Sequence, residues 1–201
     1  MGCREAESVL CYRFRREPAL RKALRGEAAI ATFFAALVEA AREGYPRLIC
    51  VCRGSRAAAA ALYTPPRGPS AAQLARLARL LALLSPRALL DAAAWLARSR
   101  AYARALAACS PGCHLLFIAS AASGRGYGSE ALKAVEEACA REGGLWVTLE
   151  VHRRNPALLF YAKRGYEPAA AAVYAGEVYV LMRKRLQARG RNTFGDHSAL
   201  P

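Results

Sequence analysis

The sequence predicts a mixed α/β fold, and three observations carry that reading. An apolar strand, Leu115-Leu116-Phe117-Ile118, runs into the glycine-rich stretch Ser123-Gly124-Arg125-Gly126-Tyr127-Gly128-Ser129 and then into a segment of helical spacing. Strand-like and helix-like segments alternate along the chain. Two pairs of β-prone segments are joined by short turns, which places antiparallel pairs in the same sheet. The expected architecture is a central, mostly antiparallel sheet of about seven strands flanked by helices, in a single domain over 1–186.

Residues 8–15 carry Leu10, Tyr12 and Phe14 at alternate positions, which predicts a first strand. From Pro18 to Arg42, Leu20, Leu24, Ile30, Phe33, Phe34, Leu37 and Ala41 recur at helical spacing. Gly26 splits this stretch into two helices, since glycine weakens a helix interior by about 1 kcal/mol. Leu48–Cys52 and Ala57–Tyr63 flank Arg53-Gly54-Ser55 and read as a β-hairpin. After the break at Thr64–Pro69, Ser70 caps a helix over 71–84, and Ser85-Pro86 caps and starts another over 86–108. Ser110-Pro111-Gly112 stops that helix, and strand 113–119 leads to the glycine loop. The next helix turns Gly128, Leu132, Val135 and Cys139 inward and Glu130, Lys133, Glu137 and Arg141 outward. Leu145–Val151 is a strand and Pro156–Lys163 a short helix. Ala169–Tyr174 and Glu177–Arg183 are strands joined at Ala175-Gly176. Residues 187–201 lack periodicity and read as a flexible tail.

Lysine and arginine number 30 against 15 acidic residues, a formal net charge of +15. Such a surface favours acidic partners such as nucleic acid, an anionic membrane or a phosphorylated cofactor. Charges of both signs are interleaved, and no RNA-binding aromatic motif or recognition-helix signature is present, so nucleic acid is not expected as a partner. No apolar run reaches the roughly 18 residues of a membrane span. The N-terminus lacks a basic-then-apolar signal pattern, and Ala6 stands where a lipidated Met-Gly start wants Ser or Thr. No membrane contact is expected, and a cytoplasmic location is. The seven cysteines complete no paired Cys/His zinc pattern, so no metal is expected. Inert buried thiols are the default, and a Cys109–Cys113 disulfide is the alternative that spacing allows.

The glycine loop carries the chemistry. Gly124, Gly126 and Gly128, at every second position, leave one side of the backbone without side-chain cover. The helix beyond presents unpaired N–H groups and the positive end of its dipole, which makes an anion cradle suited to the phosphates of a nucleotide-containing cofactor. The dinucleotide fingerprint is absent, because the loop reads Gly-x-Gly-x-Gly and no acidic residue is placed for a ribose. No Lys-Ser or Lys-Thr follows, so it is not a Walker loop either.

This order of elements, with Tyr161-x-x-x-Gly165-Tyr166 after the next strand, resembles the GNAT superfamily of acyl-CoA-dependent N-acyltransferases. Ser123, Gly126 and Gly128 fall on the family loop Arg/Gln-x-x-Gly-x-Gly/Ala. Leu149-Glu150-Val151, Asn155, Tyr161, Gly165 and Tyr166 fall on its second signature, and the likeness covers about 113–185. Ser123 departs from the usual Arg or Gln, and Asn155 lies six residues before Tyr161 where seven is common. The stretch 70–108 is similar to a helical insertion found in a bacterial and archaeal subgroup.

The resemblance implies a GNAT-like fold with a sheet splayed at the CoA site. It also implies acetyl-CoA as co-substrate and acetyl transfer to a primary amine by direct attack in a ternary complex. Ser123, Gly124, Arg125, Gly126, Tyr127, Gly128 and Ser129 would hold the pyrophosphate. Phe117 and Ile118 would line the pantetheine arm, with the Ile118 N–H polarising the acetyl carbonyl, and Asn155 would complete the cofactor set. Tyr161 would protonate the departing thiolate, since a phenol of pKa about 10 holds a proton that a thiolate of pKa about 8.5 can take. Glu150, which alternation groups with Trp146, Thr148 and His152, would accept the amine proton, with His114 and His152 as alternatives. A small-molecule amine is favoured, because helices over 70–108 wall off the acceptor side. A protein N-terminal or lysine acetyltransferase, or a non-catalytic acyl-CoA-binding module, are the alternatives. Homodimers are common in the family, though no interface is legible in the sequence.

Overall fold

The computed structural model describes residues 5–24, 26–84, 100–174 and 176–187. Its elements run α1 (Ala6–Phe14), α2 (Pro18–Leu24), α3 (Glu27–Arg42), β1 (Arg47–Arg53), β2 (Arg56–Thr64), α4 (Ala71–Leu84) and α5 (Arg100–Ala107). There follow β3 (Gly112–Ser120), α6 (Tyr127–Arg141), β4 (Trp146–His152), α7 (Ala157–Ala162), β5 (Glu167–Tyr174) and β6 (Glu177–Arg185). The strands form one sheet in the order β1-β2-β3-β4-β6-β5. Among the described strands only β3 and β4 run parallel, and every other neighbouring pair is antiparallel.

The sheet has six strands rather than about seven, because the predicted strand over 8–15 is helix α1. Ala6, Val9 and Leu10 form its buried stripe at helical spacing, while Tyr12 is 60% exposed. Leu10 and Phe14 belong to that same stripe, so the alternation with Tyr12 is coincidental. Gly26, at φ +142°, separates α2 from α3 as expected. Ser70 and Gln73 cap α4 reciprocally: the Gln73 N–H donates to Ser70 Oγ (3.3 Å) and the Ser70 N–H to Gln73 Oε1 (3.0 Å). The Ser85-Pro86 start of the helix predicted over 86–108 lies outside the described residues, as do Ala175 and all but the first residue of the expected tail.

Two apolar layers flank the sheet. Leu10, Ile30, Phe34 and Leu37 of α1 and α3 fill one side, where Phe14, Phe33, Phe34 and Phe117 stack edge to face or tilted. Leu132, Val135, Val147, Leu149 and Tyr161 fill the other. Ala57–Tyr63 of β2 is buried on both faces, and its alanines let helices close in from either side. Ladder bonds to β1 and β3 override alanine's weak strand preference.

The cysteines are not all the inert thiols expected, and the bond formed is not the Cys109–Cys113 one that spacing allows. Cys113 bonds Cys139, with Cα atoms 5.9 Å apart, because both lie on inward stripes where β3 meets α6. Cys109 remains a buried thiol near Arg183, and burial raises its pKa.

Candidate active site

Strands β3 and β4 are bonded only across Gly112–Leu115, opposite Trp146–Leu149. Beyond that they part, although β3 stays paired with β2 to Ser120 and β4 with β6 to His152. The cause lies in β3: Leu115 opposes Tyr63 and Phe117 opposes Leu62, which leaves Leu116 unmatched as a bulge. A bulge bends its strand and sharpens its twist. Leu116 and Phe117 consequently share the α1–α3 side, and Ile118 faces the α6 side. The splay expected from the sequence is therefore present, with Phe117 and Ile118, both half-buried, on the β3 edge that lines it.

The glycine loop closes the wide end. Gly126 caps α6 at φ +78° with no side-chain hydrogen bond, and Glu130 is the first residue whose N–H reaches a helical acceptor, the Gly126 carbonyl. The N–H groups of Tyr127, Gly128 and Ser129 thus point out of the helix start unclaimed by its ladder. Gly124 also has positive φ, and a Cβ on either Gly124 or Gly126 would meet no atom within 4 Å. Conformation rather than packing requires glycine at both positions. Arg125 is exposed on the loop.

Three arginines that the motifs did not reveal converge here from other elements. Arg13, in the last turn of α1, donates from Nε to the Ser120 carbonyl (2.9 Å) and from Nη2 to Ser123 Oγ (2.8 Å). Arg164, just after α7, donates to the Phe160 carbonyl (2.8 Å) and to Ser129 Oγ, and stacks on the Phe160 ring. Arg53 pairs with Glu130 and lies over the Tyr127 ring. Their only trace in the sequence is the excess of positive charge.

The remaining predicted residues fall on the two sides of the sheet. Tyr161, only 6% exposed, sits on the α6–α7 side between the rings of Phe160 and Tyr166. Burial raises its pKa above that of an ordinary phenol, so the hydroxyl keeps its proton. Asn155 precedes α7, and its Oδ1 accepts the Ala157 N–H (2.9 Å), so it shapes the helix start.

Glu150 projects from β4 to the opposite face, where its Oε1 lies 3.7 Å from His114 Nε2. Thr148 fixes the histidine: its hydroxyl donates to the Cys113 carbonyl (3.2 Å), so its oxygen receives the Nδ1–H of His114 (2.9 Å). The lone pair of His114 is then on Nε2, toward Glu150. Burial pushes the His114 pKa down to about 4, which prevails over the nearby carboxylate and keeps the ring neutral at pH 7. His152 is engaged differently. Its Nδ1 accepts the Arg154 N–H (3.3 Å) and its Nε2 meets Glu177 (2.9 Å), which lowers the Glu177 pKa. Both belong to a cavity of about 320 Å³ lined also by Arg153, Arg154, Gly176 and Val178.

A family model described as an acetyltransferase (GNAT) domain matches residues 86–186. The chain belongs to the GNAT acetyltransferase family. As a GNAT protein it is an acyltransferase, and the family works with acyl-CoA. The unclaimed amides, the free strand edge and the arginines around the loop all suit that group. A Pyrococcus horikoshii protein matches this fold at 12% identity and TM-score 0.57, covering 93% of this chain and 94% of its own. A Desulfovibrio desulfuricans protein assigned to the GNAT family matches at 12% identity and TM-score 0.56, over 92% of this chain and 94% of its own. An aminoglycoside 6'-acetyltransferase type Ii matches at 13% identity and TM-score 0.52, over 92% of each chain. At these identities the likeness is one of fold. A sequence search of curated proteins finds no relative.

Proposed function

We propose that this GNAT protein transfers an acetyl group from acetyl-CoA to the primary amine of a small molecule, by direct attack in a ternary complex. The carrying observation is the parting of β3 from β4 beneath an uncapped helix start, with Tyr161 on one side of the sheet and His114 and Glu150 on the other. Acetyl-CoA supplies the thioester electrophile when bound. The backbone from Ser123 to Ser129 receives its phosphates, and the β3 edge at Phe117 and Ile118 aligns the pantetheine arm, with the Ile118 N–H directed at the carbonyl. Tyr161, holding its proton through burial, supplies it to the leaving sulfur.

On the acceptor face, His114 Nε2 and Glu150 Oε1 are both acceptors at 3.7 Å, an arrangement that suits an amine N–H presented to the two together. Glu150 carries the negative charge and takes the proton, while neutral His114 orients the amine. Either nitrogen of His152 is already engaged, which favours Glu150 and His114 over it. The cavity beside His152 and Glu177 has the volume of a small-molecule site, which supports a small acceptor over a protein one.

Thermal unfolding with and without acetyl-CoA tests the reading. Ligand at 100 times its dissociation constant stabilises the native state by about 2.7 kcal/mol. A shift in the parent that disappears in Gly126→Glu supports the cofactor site, and no shift in the parent overturns it.

A further inference from the structure

The family loop opens with Arg or Gln where this chain has Ser123, so the cradle lacks a long polar or charged side chain at that position. The side chain that meets Ser123 is Arg13, donated by α1 from more than a hundred residues away in sequence. We infer that Arg13 is a ligand of the cofactor pyrophosphate and supplies from α1 the charge that residue 123 does not. The inference rests on the acetyl-CoA reading above and sharpens it.

Three features support the assignment. First, the guanidinium is held at the loop by two bonds, to the Ser120 carbonyl and to Ser123 Oγ. It enters at the end of β3, beside the backbone whose amides form the cradle. Second, both of those partners are neutral, so its charge is not cancelled. Arg53, by contrast, pairs with Glu130. Third, Arg13 is exposed, and a guanidinium has five N–H donors in a planar fork, of which these bonds engage two. The remaining donors suit the bidentate geometry of a phosphate. Lost at residue 123, the function has moved to a helix that only the tertiary fold brings near.

A merely structural Arg13 would brace the loop and nothing more. The two roles separate when the ligand is cut. Dissociation constants for acetyl-CoA and for S-acetylpantetheine, which lacks the pyrophosphate, are measured on the parent, Arg13→Gln, Arg13→Gln/Ser123→Arg and Arg42→Ala. Arg42, paired with Glu39 on α3, controls for loss of one positive charge elsewhere. Arg13→Gln keeps an N–H donor for Ser120 while removing the charge. The expected result is about tenfold weaker acetyl-CoA binding in Arg13→Gln, unchanged S-acetylpantetheine binding, recovery in the double variant and no change in Arg42→Ala. Equal weakening of both ligands, or no weakening, overturns the inference while the acetyltransferase reading stands. Failure of the parent to bind acetyl-CoA overturns both.

Discussion

Tyr161 is buried and His114 half-buried, and desolvation moves their chemistry in opposite directions because it always opposes charge. For the phenol, the proton is held more tightly and stays available to a strong acceptor formed beside it. Replacing Tyr161 by Phe should slow turnover about tenfold or more and leave acetyl-CoA affinity nearly unchanged, as read by steady-state kinetics beside calorimetric titration. For the imidazole, the folded pKa of about 4 lies below the ordinary 6.5. The unfolded chain therefore binds the proton first as pH falls, and stability declines between pH 6.5 and 4. The full difference is about 3 kcal/mol. Denaturant unfolding across this window should show a steeper loss for the parent than for His114→Gln, and equal slopes would show that burial does not control the ring.

The helix α6 illustrates what a sequence discloses about an element. Its inward Leu132, Val135 and Cys139 and its outward Glu130, Lys133 and Glu137 were legible because one helix period orders them. The glycines before it were legible because positive φ admits few other residues. Helix α1 was not, since nine residues give too few turns for periodicity to outweigh a chance alternation. Arg13 and Arg164 were invisible for a different reason: their partners are set by how helices settle on the sheet. The Cys113–Cys139 bond belongs to the same class, and it ties the foot of β3 to the far end of α6. Closing a loop of 26 residues contributes about 3.5 kcal/mol by the chain-entropy estimate. A thiol reductant, or Cys139→Ser, should lower the melting temperature by several degrees in calorimetry; an unchanged value would show that the bond does not stabilise the native state.

At the scale of the molecule, the sheet consists of two three-stranded halves, β1-β2-β3 and β4-β6-β5, joined by four facing residue pairs. The family match begins at residue 86, so it omits β1, β2 and all of α1. A fragment spanning 86–201 would bare the β3 edge and lose Arg13 together with the aromatic layer under α1 and α3. It should be recovered as aggregate in size-exclusion chromatography, whereas a soluble monomeric fragment would mean that the second half folds alone. No helix among the described residues is long and apolar enough to cross a membrane. Part of the +15 charge gathers where Arg13, Arg125 and Arg164 surround the loop.

The unmatched Leu116 also bears on how such a chain can change over time. Because it shifts the count by one, Ile118 falls on the same side as Cys113 and Leu115, and odd–even parity breaks where the cleft opens. A one-residue insertion or deletion between Leu115 and Gly126 would exchange the side chains lining the cleft for those beneath α1, or displace the glycines from their places. Point changes carry no such penalty. Spacing across this stretch is thereby held more tightly than side-chain identity.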